Sequence, residues 1–90
     1  FGGPIIDNQG IAFPLADLAT QIDAARLLTW RASWMAANGV PFERGEGSMS
    51  KLAASEVAVK ATERAIKTMG GWGYINDHPV AKWYRDAKLY

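Results

Sequence analysis

Cysteine is absent from this chain of ninety residues, so no disulfide framework holds it together and no thiolate serves as nucleophile or metal ligand. That absence agrees with a reducing compartment. Histidine occurs once, as His78, which leaves a metal centre without clustered ligands and a Ser-His-Asp arrangement without partners. No apolar run approaches the roughly 20 residues that a membrane-spanning helix needs, and no basic-then-apolar segment marks a secretory signal. Neither sign of charge dominates. Ten basic residues against nine acidic ones give a formal net charge of +1, too little for the broad basic field of a nucleic-acid binder.

What is present is apolar and aromatic. Hydrophobic residues make up 49% of the chain, with four Trp among them. A chain of this size is one domain at most and buries only about 60–65% of the surface its unfolded form exposes. Some of the apolar surface is therefore meant for another domain or subunit. The chain starts at Phe1 without Met, which reads as an excised piece of a longer protein.

Periodicity places three helices, near residues 9–38, 47–69 and 78–89, and no strand. Ile11, Leu15, Leu18, Ile22 and Ala25 step by four and three along one helical face. Asp7 or Asn8 supplies a cap before them. Pro14 predicts a kink in the first two turns or a start nearer Phe13, and Asn38-Gly39 with Pro41 ends the helix. Leu27, Leu28, Trp30, Trp34 and Met35 broaden its apolar surface, so more than one neighbour is expected there. Ser48 or Ser50 caps the second helix. Leu52, Val59, Ile66 and Met69 form its large row, while Ala54, Ala58, Ala61 and Ala65 form a small row that admits a close neighbour. Asp77 and Pro79 open the short third helix. The sum is an all-α chain: two long antiparallel helices plus a short C-terminal one, an incomplete up-and-down four-helix bundle.

Charged residues read mostly as solvated pairs. Glu56 with Lys60 and Glu63 with Lys67 have the favoured i,i+4 order. The two glutamates stand about 10 Å apart along the helix, each with its own lysine, and imply no catalytic cleft. Arg26 and Glu56 border the seam between the long helices, and a cross-helix pair between them is expected over the local pairs Asp23–Arg26 and Glu56–Lys60. Lys82, Arg85 and Lys88 form the wet side of the third helix. No catalytic residue and no metal ligand emerges.

The densest signal is Ala65-Ile66-Lys67-Thr68-Met69-Gly70-Gly71-Trp72-Gly73-Tyr74, where a helix runs into three glycines around a tryptophan. Gly70 is expected to cap the helix, and Gly71 and Gly73 to leave bare N–H groups facing a ligand or another chain. The spacing matches neither the dinucleotide-binding nor the P-loop fingerprint.

Read as words, Phe1-Gly2-Gly3-Pro4-Ile5, Asn8-Gln9-Gly10-Ile11, Leu15-Ala16-Asp17-Leu18-Ala19, Ala24-Ala25-Arg26, Lys51-Leu52-Ala53-Ala54-Ser55-Glu56, Gly70-Gly71-Trp72-Gly73-Tyr74, Pro79-Val80 and Arg85-Asp86-Ala87-Lys88 resemble, in order and spacing, the C-terminal helical domain of acyl-CoA dehydrogenases. The resemblance covers essentially the whole chain. It implies that residues 1–90 are part of the helical-bundle domain of a longer FAD-dependent oxidoreductase that converts acyl-CoA to trans-2-enoyl-CoA. It also implies a homotetramer built as a dimer of dimers, reoxidation by electron-transferring flavoprotein, and residence in the bacterial cytoplasm or the mitochondrial matrix. Carried over position by position, Phe1, Asn8, Gln9, Lys67, Thr68, Met69, Gly70 and Gly71 contact the FAD of the neighbouring subunit. Members often carry Gln where Lys67 stands. The catalytic glutamate of such enzymes falls outside residues 1–90, so the piece is expected to be inactive alone. A helical interaction module that keeps the bundle without flavin chemistry is the competing reading.

Overall fold

A computed structural model describes all of residues 1–90. A 3-10 turn, Ile5–Asp7, leads into α1, Gln9–Ala37; α2, Glu46–Met69, returns antiparallel to it; a single turn, α3, Gly71–Tyr74, and a short helix, α4, Val80–Ala87, follow. The chain is all-helical, with two long helices and two short ones. Its extents of 54 × 26 × 16 Å are those of a flat piece of bundle.

The face read from the spacing in α1 is the face that packs. Ala25 is buried, Ile11, Leu15, Leu18 and Ile22 are half-buried, and Ala32 and Met35 carry the buried line onward. Pro14 lies inside the helix rather than at its start. Its missing N–H would have met the carbonyl of Gly10, so one bond is lost while the helix continues. Asn38 closes α1, its side-chain amide donating to the Trp34 carbonyl at 2.8 Å. Val40 N–H reaches back to the Met35 carbonyl at 2.9 Å.

The expected caps are not the ones used. Asn8 stands at the cap position of α1, but its side chain turns back to donate to the Ile5 carbonyl at 3.2 Å. It closes the 3-10 turn instead. Ser48 and Ser50 lie within α2, which starts earlier, at Glu46. The Glu46 carboxylate is buried and accepts the Arg44 N–H at 3.2 Å, a negative group at the positive end of the helix dipole. Of the Asp77-Pro79 opening only Pro79 takes part: it stands immediately before α4, which starts at Val80, and no side chain, that of Asp77 included, caps the helix.

α2 is the hub: α1, α3 and α4 all pack on it, and side chains of α1 and α4, Trp30 and Trp83 among them, line a shared cavity beside it. Its buried apolar residue is Val57, which belongs to neither expected row, while Leu52 of the large row is 59% exposed. Val59, Ile66 and Met69 are half-buried, as are Ala58, Ala61 and Ala65. The buried apolar set is small: Ala25, Ala32, Met35, Val57, Val80 and Ala87. So thin a core is of the order that leaves an isolated domain marginal.

Of the ion pairs, Glu63–Lys67 forms at 3.5 Å. The expected Arg26–Glu56 tie does not form. Arg26 pairs locally with Asp23 at 3.2 Å, both ends well exposed, and Glu56 makes no ion pair, not with Lys60 either. An i,i+3 pair needs no change of helix register and keeps both charges wet, which costs less than holding them at the seam. The basic side of α4 is used within the helix, Lys82 bonding Asp86 at 2.6 Å and Lys88 lying 5.5 Å from the Tyr84 ring centre.

Candidate functional site

Because the two long helices run antiparallel, residues 1–9 and 67–71 come to the same end of the molecule. A shallow depression of about 420 Å³ joins them, lined by Ile5, Thr68, Met69, Trp72 and His78. A second, more polar groove brings Pro14 and Asp17 of α1 against Arg64 and Lys67 of α2. Residues far apart in the chain thus share one end of the molecule.

The glycine turn sets the geometry. Gly70 ends α2 at φ +61° and ψ −137°, a conformation that side-chain-bearing residues rarely adopt. The chain then reverses into α3 instead of running off as a loop. Gly73 does not face outward as the sequence reading had it. It is buried, its N–H donates to the Gly70 carbonyl at 3.0 Å, and a β-carbon there would stand 2.7 Å from the Ile66 carbonyl oxygen. Gly73 is therefore a packing glycine, present so that α3 can lie on the last turn of α2. Gly71 keeps the expected character: its amide and that of Trp72 donate to no protein acceptor, and a β-carbon on Gly71 would meet nothing within 4 Å.

The other carried-over positions divide into free and engaged groups. Phe1 and Gln9 are exposed and make no side-chain hydrogen bond, while the Asn8 amide is engaged with Ile5. Lys67 is exposed and reaches only Glu63. The Thr68 hydroxyl donates to the Arg64 carbonyl at 2.8 Å, so its oxygen still has lone pairs available. Met69 lies half-buried on the wall of the depression. Sequence reasoning passed over two members of that wall. Trp72 and His78 meet edge to face, 5.9 Å between ring centres, and form one side of it. The Gly-Gly-Trp-Gly context pointed toward Trp72. His78 had no signal beyond its Pro79 neighbour.

This end of the molecule gathers polar groups and apolar surface, without a cluster of side chains suited to catalysis. Two unused backbone amides can meet an anion, the Lys67 and Arg64 cations stand in a groove that also holds the Asp17 and Glu63 carboxylates, and the Trp72–His78 pair with Ile5 and Met69 offers an apolar wall. No group of three or more metal-ligating side chains occurs, and no helix is long and apolar enough to cross a membrane.

Comparison with known proteins agrees over the whole length. The family model described as acyl-CoA dehydrogenase, C-terminal domain, matches residues 1–90. The mitochondrial short-chain specific acyl-CoA dehydrogenase of Rattus norvegicus is 46% identical over 89 residues, and an acyl-CoA dehydrogenase of Bacillus subtilis is 47% identical. Each match covers 99% of this chain but only 21% and 23% of those relatives, so the chain spans about a fifth of their length. Among solved structures, butyryl-CoA dehydrogenase from Megasphaera elsdenii superposes with a TM-score of 0.94 at 42% identity. A chain from work on the electron transferring flavoprotein of Acidaminococcus fermentans gives the same TM-score at 38% identity. These two matches cover 99% of this chain and 23% of each solved chain.

Proposed function

Since this chain belongs to the acyl-CoA dehydrogenase family, matching its C-terminal domain, we propose that it is the helical-bundle segment of a flavoenzyme that oxidises acyl-CoA thioesters to trans-2-enoyl-CoA. Its own task is to complete the FAD site of a neighbouring subunit and to form part of the oligomer interface. The observation that carries the binding role is the pair of unused amides at Gly71 and Trp72, beside exposed Lys67, at the end where residues 1–9 converge.

These groups fit a dinucleotide. A pyrophosphate placed against Gly71 meets two N–H donors without displacing any internal hydrogen bond, and Lys67 supplies charge beside it. Thr68 adds a hydroxyl oxygen, while Phe1, Asn8 and Gln9 approach from the other strand of chain at that end. Gly70 acts by shape, turning the backbone so that the Gly71 amide faces outward. The bound flavin, for its part, supplies the hydride acceptor for dehydrogenation of a carbon–carbon bond. The ninety residues contribute binding and orientation only, and the α-proton is removed by a base elsewhere in the enzyme. A homotetramer, an acyl-CoA substrate, reoxidation by electron-transferring flavoprotein, and a bacterial-cytoplasmic or mitochondrial-matrix setting complete the reading.

The test is made on the full-length protein. It should purify yellow, with one FAD per subunit, and its flavin absorbance should bleach when an acyl-CoA is added without an acceptor. A colourless protein that takes up no FAD would overturn the reading in favour of a helical interaction module.

A further inference from the structure

The methionines of this chain stand in three different settings. Met35 is buried at 9% exposure, Met69 is half-buried on the wall of the depression, and Met49, in the first turn of α2, is 42% exposed. Met49 is also the one whose sulfur faces a donor: the Arg31 guanidinium of α1 stands 3.6 Å from its Sδ. Nothing else engages Arg31, which forms no ion pair and no second hydrogen bond. The contact is the one side-chain hydrogen bond that joins the two long helices.

The two groups match in position and not in strength. A guanidinium is a charged donor with several N–H groups, whereas a thioether is among the weakest acceptors in a protein. One oxygen atom on the sulfur corrects the mismatch, because the sulfoxide oxygen turns the N–H···S contact into a charge-assisted N–H···O bond. The same oxygen on Met35 would lie in the buried apolar set, where no donor faces the sulfur, and a polar atom left there unpaired destabilises. Sulfoxide formation thus disrupts at Met35 and ties α1 to α2 at Met49.

We propose that Met49 is a modification site, oxidised to the sulfoxide by hydrogen peroxide, and that Arg31 is placed to donate to the oxygen so added. In that step a lone pair of Sδ attacks one peroxide oxygen, the S–O bond forms and the O–O bond breaks. The departing hydroxide takes the proton of the transferred hydroxyl and leaves as water. Sulfur gives up two electrons and the peroxide accepts them. Arg31 stays protonated throughout and gives up no proton. The result is a tie between the end of α1 and the start of α2 that exists only after oxidation, at a place that uses none of the residues assigned to flavin.

The test treats the full-length protein with dilute hydrogen peroxide and follows each methionine by peptide mass spectrometry. Met49 should gain its oxygen at least about fivefold sooner than Met35 or Met69, as exposure of the thioether dictates. Hydrogen exchange then reads the tie: amides of residues 28–35 and 46–53 should exchange at least about threefold more slowly in the oxidised parent than in the untreated one. Met49→Gln, whose carbonyl oxygen lies one bond beyond the position of Sδ as the sulfoxide oxygen does, should show the same slowing without peroxide. In Arg31→Ala and in Met49→Leu, peroxide should leave exchange at that end unchanged. Oxidation of Met49 no sooner than that of Met35 would overturn the proposal. So would exchange that is unaltered or faster in the oxidised parent, or a slowing that persists in Arg31→Ala or Met49→Leu. Each readout is the same whether or not the protein carries flavin, so failure of the flavin reading and failure of this one are told apart.

Discussion

Gly73 lies directly against the backbone of Ile66, with room for a hydrogen atom but not for a carbon: a β-carbon would stand 2.7 Å from the Ile66 carbonyl oxygen and 2.9 Å from its Cα. Both are backbone atoms and cannot rotate away. Gly73→Ala should therefore push α3 off the end of α2 at a cost of about 1–3 kcal/mol, the range of overpacked cores. Thermal melting of the full-length protein measures it. A variant that melts with the parent would mean that the turn shifts freely, against the packing role assigned to this glycine.

Gly71, two residues earlier, should behave in the opposite way. A methyl group there meets nothing within 4 Å, and the residue is not among those with positive φ. Gly71→Ala should leave stability unchanged or raise it by about 0.4–1 kcal/mol through the unfolded chain. The same methyl group crowds the unused amide, and a lost charge-assisted bond of about 1.5–3 kcal/mol corresponds to roughly ten- to hundredfold weaker FAD binding. Titration of the apoprotein with FAD decides it, and undiminished affinity would remove Gly71 from the site.

Arg26→Ala should cost little, about 0.2–0.5 kcal/mol, because its partner Asp23 and Arg26 itself are exposed and solvent screens the pair. A double-mutant cycle with Glu56→Ala should give coupling near zero. Coupling above about 1 kcal/mol would show that the cross-helix tie forms in solution after all.

Val57→Ala should destabilise by about 1.5–3 kcal/mol, since Val57 is the buried apolar side chain of α2 and faces both α1 and α4. In the same helix Leu52→Ala in the isolated chain should stay within about 0.5 kcal/mol, because Leu52 is 59% exposed. Equal losses at the two positions in chemical denaturation of the chain would contradict this arrangement of the core.

These contrasts mark what the sequence could reveal. The 4-3-4-3 spacing from Ile11 to Ala25 names the packed face of α1 correctly because one neighbour covers it and period alone decides. In α2 the same method picks Leu52 over Val57: that helix has neighbours on two sides, so size no longer tells which residue points between them. Gly70 was legible as a terminator from its place after Met69, and its conformation bears that out. Gly73 was not, because its role depends on the proximity of α3 to Ile66, a tertiary fact with no local pattern. Ser48 and Ser50 were plausible caps by residue type, but α2 starts at Glu46 after the left-handed Gly45, and the buried Glu46 carboxylate accepts from the Arg44 N–H just ahead of the helix. For the candidate site, the words shared with a family located both chain segments. The Trp72–His78 wall arises only when the turn folds back.

Because the backbone of α4 lies against α2 and α3 and not against α1, the helices come apart in a fixed order. An eight-residue helix does not persist in water without a partner. α4 thus exists only while α2 does, whereas α2 keeps its contact with α1 when α4 is lost. Loss of structure is then a one-way sequence. Amides of α4 should exchange with solvent through openings that leave the α1–α2 hairpin intact, and no opening of that hairpin can leave α4 protected. The turn at Gly70–Tyr74, set between them, marks the boundary at which a partial unfolding stops.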